Sequence, residues 1–340
     1  MVRYIGVTRR AGGSSILKRV LRFLLVLAIA QQGADNPPIQ APIQANVPLV
    51  LAPVTVTDRK GNLIDGLTVK DFILTDEGVP QKLRLDTSDT VLAPVSLVVL
   101  VQSSGISTPE LFRIQRVGSM IKPLVIGDRG QAAVIAFDDE TRVFEDFTSD
   151  SSKISSAFER INTRTIKSAK LIDAVGEGVR MLATRPANNR RIMLLLSESR
   201  DRGSRMKLAE AIEQAQRAGV VIYAGTYSAQ GAAWTSKAEN APPMPGGPDY
   251  LGGIGELVRL GKANAADEFA RATGGRHLSF LTLNSLEKTI SRTGEEIHSQ
   301  YLLSFVPADS RKNGFHRIQV AVPSRPDAVI RVRAGYWTEQ

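Results

Sequence analysis

Two patterns of hydrophobic and polar residues divide the chain. From residue 48 onward, "LVLAPVTVTDRKGNLIDGL" and "DFILTDEGVPQKLRLDT" alternate apolar and polar positions, with turn residues at Lys60–Asn62 and at Glu77-Gly78. Alternation interrupted by such turns predicts antiparallel strands. We therefore expect residues 48–92 to form a small β segment.

The middle of the chain has a different texture. The runs "VSLVVLVQ", "RIMLLLSES" and "VVIYAGTY" are continuously apolar, as strands buried on both faces are. Stretches with helical apolar spacing, such as "RMKLAEAIEQAQRAG", lie between them. This alternation predicts an α/β domain over residues 93–300, with a doubly wound, mostly parallel sheet and helices on both faces.

Strand-like alternation returns after Gln300. The segments "YLLSFVP", "FHRIQVAVP" and "AVIRVRAGYW" predict three strands within residues 301–340. Two or three strands alone bury too little surface to be stable. We therefore expect residues 301–340 to pair with residues 48–92 in a small β-sandwich.

The first 30 residues have the features of a secretion signal. They contain six basic residues and no acidic residue, and they end in the apolar run "FLLVLAIA". A stable membrane-spanning helix needs about 20 apolar residues, and this run is shorter. We predict a signal peptide over residues 1–30, a Pro/Gln-rich linker over 31–47, and a secreted or periplasmic location in the cell envelope. The alternative is that this segment is not cleaved and anchors the protein in a membrane. We expect no other part of the chain to contact a membrane.

Composition narrows the classes of function. The formal charge of +9 falls to +3 without the six basic residues of the leader, which gives little attraction to phosphate, so we expect no nucleic-acid partner. The chain has no cysteine, which excludes disulfides, thiolate metal sites and cysteine nucleophiles.

A loop of small polar residues follows the first buried strand. In "VVLVQSSGIS", the apolar run stops at Gln102 and the loop of Ser103, Ser104 and Ser107 begins. In doubly wound sheets, ligands bind beyond the carboxyl ends of the strands. We therefore expect this loop to belong to a binding site.

Together with the order of elements, "LVVLVQSSGIS", "VIAFDDETRVFEDFTSD" and "LLLSES" resemble a von Willebrand factor type A domain. The flanking segments resemble the bacterial VWFA-related subfamily common in acidobacterial proteomes. The resemblance implies a metal-ion-dependent adhesion site. Its motif begins Asp-x-Ser-x-Ser, and later loops add a Thr and an Asp. These groups hold Mg²⁺, and an acidic group of the partner completes its coordination.

The first loop departs from that motif. The leading Asp falls on Gln102 and the second Ser on Ile106, which has no ligand atom, while Ser104 is retained. One carboxylate of the implied site is therefore replaced by an amide.

The later loops depart as well. The Thr falls near Ala169, with Thr165 and Ser168 close by, and the later Asp becomes Glu198. A single carboxylate is a poor match for a doubly charged ion, so we predict a degenerate site without metal. The alternative is weak Mg²⁺ or Ca²⁺ binding by Ser104 and Glu198, helped by Thr165 or Asp201.

These observations predict an exported protein–protein interaction module. It would bind an unidentified protein through the loops at the carboxyl edge of the sheet, by hydrogen bonds and apolar contacts. The predicted partner-binding residues are Gln102, Ser103, Ser104, Ile106, Ser107, Thr165, Ser168, Glu198, Asp201 and, from the long loop of residues 228–261, Trp234.

An envelope hydrolase using Ser104 or the Asp138–Asp139 pair is a further alternative. The chain has no Gly-x-Ser-x-Gly elbow and no His-Glu-x-x-His motif, so we predict that it is not an enzyme. Asp138 and Asp139 fit an ordinary turn between strands. Asp201 is expected to pair with a neighbouring arginine or to cap a helix beginning near Ser204.

Overall fold

The computed structural model describes residues 49–86, 93–186, 188–227, 264–307 and 313–338. The predicted signal peptide and linker, Trp234 and the side chain of Ile106 lie outside this description. Within these ranges, no helix is both long and apolar enough to cross a bilayer.

The described elements alternate as the sequence predicts. The strands are β1 Val50–Thr57, β2 Ile73–Asp76, β3 Val79–Pro80, β4 Leu83–Asp86, β5 Val95–Gln102, β6 Gln131–Phe137, β7 Thr141–Thr148, β8 Arg190–Ser197, β9 Val220–Thr226, β10 His277–Ser279, β11 Tyr301–Phe305, β12 Gly314–Ala321, β13 Val329–Arg331 and β14 Gly335–Thr338. The α-helices are α1 Thr108–Gln115, α2 Ser151–Arg160, α3 Leu171–Ala183, α4 Leu208–Arg217, α5 Ala265–Thr273 and α6 Leu283–His298.

A six-stranded sheet in the order β10-β9-β8-β5-β6-β7 forms the centre of the α/β domain. All neighbouring pairs are parallel except β6 and β7, which form an antiparallel hairpin. Numbered along the chain, these strands have the 3-2-1-4-5-6 order of a doubly wound sheet. The order reverses direction between β5 and β8, which is where such sheets bind ligands.

Helices pack on both faces of the sheet because its strands present apolar residues to both faces. Leu97, Val99 and Val101 of β5 join a core with α1, α2 and α6. Val98 and Leu100 point to the other face and join a core with α3, α4 and α5. The predicted α/β fold class is therefore confirmed.

The two flanks of this domain build two four-stranded sheets together, ordered β13-β1-β11-β4 and β14-β12-β2-β3. β1 runs antiparallel to both β11 and β13, and β2 runs antiparallel to β12. Val54, Leu74, Phe305, Ile318 and Tyr336 belong to one apolar core shared by these sheets. The β-sandwich predicted from the two flanking segments is present.

The prediction of three C-terminal strands is wrong, because "AVIRVRAGYW" forms two short strands in different sheets. Between β13 and β14, the backbone leaves both sheets and contacts the end of α5. A Cβ added to Gly274 would lie 2.5 Å from the Arg333 nitrogen, and the Ala334 N–H donates to the Ala272 carbonyl at 3.2 Å. This close contact bends the segment from one sheet to the other.

Gly294 fixes how closely α6 packs against the turn of residues 122–126. A Cβ at this position would lie 2.0 Å from the Leu124 carbonyl oxygen, which belongs to backbone and cannot move alone. We expect Gly294→Ala to lower the free energy of unfolding by about 1–3 kcal/mol, which outweighs the up to ~1 kcal/mol gain in helix propensity.

Urea denaturation checks this expectation, with Gly176→Ala in α3 as the matched control. A Cβ at Gly176 would meet only the flexible end of Met206, at 2.8 Å from Cε. The control should therefore change stability by less than about 1 kcal/mol. Equal effects of the two substitutions would contradict the close packing of α6.

Candidate functional site at the carboxyl edge of the sheet

Gln102 lies at the end of β5, at the point where the strand order reverses. Its side chain is fully buried. Its Oε1 accepts a hydrogen bond from the Glu198 N–H at 3.0 Å, and its Nε2 donates to Ser104 Oγ at 2.8 Å. One amide therefore joins the loop after β5 to the loop after β8. Because Nε2 is a donor, it directs hydrogen and not a lone pair at the Ser104 hydroxyl.

The serine hydroxyls of the β5 loop face inward. Ser103, Ser104 and Ser107 are each fully buried. A 3-10 turn over Gly105–Ser107 brings Ser107 Oγ to 3.3 Å from Ser104 Oγ. The predicted serines are thus brought together as internal groups of the loop.

Asp138 forms a second buried polar centre, in the turn between β6 and β7. Its carboxylate is fully buried and receives the Arg142 Nη2 at 2.8 Å, and Arg164 Nη1 lies 3.4 Å from its Oδ1. Arg142 also donates to Ser103 Oγ at 3.0 Å, which connects this centre to the β5 loop. Burial acts to raise the pKa of Asp138, but the hydrogen bonds led by Arg142 hold the pKa below its ordinary value.

Because the folded protein lowers the pKa of Asp138, this carboxylate stabilises the fold above the unfolded pKa of about 3.9, and the contribution is lost as pH falls below it. Asp138→Asn should lower the free energy of unfolding by about 1–3 kcal/mol at pH 7. The difference from wild type should shrink below pH 4. Urea unfolding at a series of pH values measures both, with exposed Asp146→Asn as the control. A difference that is independent of pH would contradict the role of the charge.

Glu198, which only the metal-binding alternative makes a ligand, follows β8 and is paired with an arginine. Its carboxylate is buried, and Arg202 Nη2 lies 3.3 Å from its Oε2. The side chain of Arg202 is 38% exposed, so the pair lies at the boundary with solvent. Across the described residues, no group of three or more His, Asp and Glu side chains is arranged to hold a metal ion.

No family model and no curated protein sequence matches the chain. Among solved structures, a von Willebrand factor type A protein from Catenulispora acidiphila is 12% identical, covers 87% of this chain and 76% of its own, and has a TM-score of 0.45. An aerotolerance-related membrane protein from Bacteroides fragilis is 17% identical, with coverages of 60% and 98% and a TM-score of 0.42. Proximal thread matrix protein 1 from the mussel byssus, whose adhesion motif is occupied by zinc, is 13% identical, with coverages of 62% and 47% and a TM-score of 0.42.

The sheet order and the helices on both faces are those that the sequence resemblance implies. The α/β domain is therefore doubly wound, as that resemblance leads us to expect. Because one fold carries many functions, the function of this domain has to be argued from its own site.

The remaining predicted residues that the structure describes lie on the rim of the candidate site. Thr165 is exposed, and half-buried Ser168 donates to the Arg202 carbonyl at 2.8 Å. Asp201 does cap a helix, but not one that begins near Ser204. It accepts from the Ile172 N–H at the start of α3, at 3.2 Å, and from Ser204 Oγ at 2.5 Å.

Sequence reasoning missed the arginines of this site and one exposed aromatic. The contacts of Asp138 and Glu198 with these arginines, which are Arg142, Arg164 and Arg202, depend on the tertiary fold or on the shape of a loop. Phe112 lies one helical turn after Thr108, which starts α1 at the carboxyl edge, and it is 71% exposed. A single exposed aromatic ring is normal on a protein surface, but aromatic residues are also enriched where proteins bind partners. The sequence could have indicated that Phe112 is exposed, because Leu111 and Ile114 form the buried face of α1 and Phe112 lies on another face of this helix.

Proposed function

We propose that this chain is an exported module that binds another protein through the loops at the carboxyl edge of its sheet, without a metal ion. The observation that carries the proposal is the buried Gln102 side chain, hydrogen-bonded on both sides between Glu198 and Ser104. A cation at that position would need oxygen ligands, whereas this amide presents N–H to Ser104. The Arg202 guanidinium beside Glu198 supplies the positive charge that a metal would otherwise give.

In this proposal, the buried and the exposed residues of the site have different roles. Gln102, Ser103, Ser104 and Ser107, which the sequence predicts to contact the partner, are fully buried and instead hold the loops in shape. The partner contacts the exposed rim, and the rim residues that carry this role are Thr165, Lys167, Arg200 and Phe112. Contact through an aromatic anchor with a polar surround matches the composition of protein interfaces.

The wild-type protein should not respond to divalent cations. Its midpoint of thermal unfolding should be the same with excess chelator as with millimolar Mg²⁺, Ca²⁺ or Mn²⁺, because a ligand stabilises only a protein that binds it. A rise in the midpoint with Mg²⁺ would contradict the proposal. It would favour the alternative, in which Ser104, Glu198 and either Thr165 or Asp201 bind Mg²⁺ weakly.

The partner-binding surface can be tested before the partner is known. A photo-crosslinking residue is introduced at position 165 or 112 of the chain in its own cells, and at Val79 of β3 as a control that is 55% exposed and lies in the sandwich. We expect one adduct common to positions 165 and 112 and absent from position 79. The same adduct at position 79, or none at either rim position, would contradict the proposed surface.

The hydrolase alternative lacks support from the side chains around its candidate nucleophile. Ser104 Oγ contacts the Gln102 amide and the Ser107 hydroxyl, and neither is a general base. Asp138 is engaged by Arg142. We therefore propose a non-catalytic role, which covalent labelling by a serine-directed probe would contradict.

A further inference from the structure

A cavity of about 390 Å³ lies at the edge of the central sheet opposite to the candidate site. Arg190 and Val220, the first residues of β8 and β9, line one side of it, and Leu51, Pro53 and Leu302 of the sandwich line the other. Ligand cavities in proteins have volumes of about 300–1,000 Å³. The cavity is therefore large enough for a small organic molecule.

The sandwich side of this cavity is apolar. Alternate residues of β1 enter the sandwich core, so Leu51 and Pro53 project from the opposite face of the strand. Pro53 pairs in register with Leu302 of β11, which places both on that outer face. Leu51 is 50% exposed. This wall suits the apolar body of a ligand.

The opposite side carries two positive charges, one buried at Arg190 and one half-buried at Arg333. Arg190 is only 9% exposed, and its Nη2 donates to the Gln300 Oε1 at 2.8 Å and to the Ile297 carbonyl. Arg333 donates to the carbonyls of Gly335 and Gln216, each at 2.6 Å. All four acceptors are neutral. The carbonyls of Ile297 and Gln216 lie at the ends of α6 and α4, and such helix ends carry only partial negative charge.

No carboxylate balances these two guanidinium groups among the described residues. Neither Arg190 nor Arg333 forms an ion pair there, and no Asp or Glu lines the cavity. Arg276 and Arg331 differ, because they share Glu296. Burial without a counterion lowers the pKa of Arg333 to about 10. A buried, unpaired charge is costly, and an anion that enters the cavity would remove part of that cost.

We propose that this cavity binds an amphiphilic anion, with its charged head at Arg190 and Arg333 and its apolar body against Leu51, Pro53 and Leu302. Arg190 keeps Nη1 and Nε, and Arg333 keeps Nη1, free of hydrogen bonds to the described residues, so donors remain for the head group. The site lies at the edge opposite to the partner-binding loops and does not depend on the function proposed for them.

Isothermal titration calorimetry of the full chain tests the proposal with decanoate, decyl phosphate and uncharged decanamide. We expect saturable binding of an anion at one site and at least about tenfold weaker binding of decanamide, because the amide has no charge to pair with the two guanidinium groups. Comparison of decanoate with decyl phosphate distinguishes a carboxylate from a phosphate head. The proposal is overturned if neither anion binds below its micelle concentration, or if decanamide binds as tightly.

A pair of exposed variants locates the site. Leu51→Glu places a negative charge on the cavity wall, whereas Leu49→Glu places it just before the same strand, two residues away and outside the lining. Both side chains are about half exposed, so both variants should fold. Leu51→Glu should weaken anion binding at least about tenfold and Leu49→Glu less than about twofold, since like charges repel strongly only at short range. Equal weakening by both would also overturn the proposal.

Discussion

Replacing Glu296 with alanine should lower the free energy of unfolding by about 3–5 kcal/mol. The Glu296 side chain is almost fully buried in α6. Arg276 Nε lies 2.7 Å from its Oε1, in an ion pair without an aligned hydrogen bond, and Arg331 Nη2 donates to its Oε2. Removing the carboxylate leaves two buried cations facing each other with no counterion, which costs more than the loss of either pair alone.

This substitution should also loosen the contact between the α/β domain and the sandwich. Arg276 precedes β10 of the central sheet, whereas Arg331 belongs to β13. Urea denaturation followed by circular dichroism measures the effect. Glu295→Ala is the control, because Glu295 is the exposed neighbour on the same helix and should change stability by less than about 0.5 kcal/mol. A loss below 1 kcal/mol for Glu296→Ala would show that the ion pairs of Glu296 with Arg276 and Arg331 contribute little to stability.

Gln102→Asp should be the second strongly destabilising change, with a loss of about 3 kcal/mol at neutral pH. The shorter side chain loses both the hydrogen bond from Glu198 and the donor to Ser104. It also introduces a carboxylate at a fully buried position, close to the buried carboxylate of Glu198. The charged form of the new group is unfavourable there, so part of the loss should be recovered at acidic pH.

Divalent cations should rescue this variant and not the wild type. The new carboxylate, Ser104 and Glu198 together supply oxygen ligands for Mg²⁺, and a cation at about 100 times its Kd would add about 2.7 kcal/mol. Thermal unfolding with chelator and with Mg²⁺ measures the rescue, and Gln102→Asn controls for the shortened chain without the charge. If Mg²⁺ stabilises Gln102→Asn as much as Gln102→Asp, the rescue does not come from the carboxylate.

The sequence predicts the fold because a strand that is buried on both faces of a sheet is a continuous run of apolar residues. "VSLVVLVQ" has no polar residue until Gln102 other than Ser96, and the strand it forms lies at the centre of the sheet. The doubly wound order then follows from the alternation of strands and helices. Alternating patterns in both flanks likewise led to the sandwich, since neither flank can form a core alone.

The sequence predicts where the candidate site lies, but not which of its side chains contact one another. The ends of β5 and β8 lie side by side, which brings Gln102 near Glu198 as neighbouring strand ends should. The burial of Ser107 could not be predicted, because it depends on a 3-10 turn of three residues. Asp138 is engaged by Arg142 of the same hairpin and also by Arg164, which lies 26 residues away in a loop without periodicity. Charged residues leave no pattern that identifies their partners.

The sandwich has a consequence for the order of events during synthesis. Val54 of β1 pairs with Tyr301 of β11, so about 250 residues are made after β1 before its neighbour exists. At translation rates of about 5–20 residues per second, β1 waits roughly ten to fifty seconds with unpaired edges. The α/β domain is meanwhile made as one uninterrupted segment and can fold first. Nascent β1, and β2 whose neighbour β12 is made about as late, are therefore segments that would gain from a chaperone during synthesis.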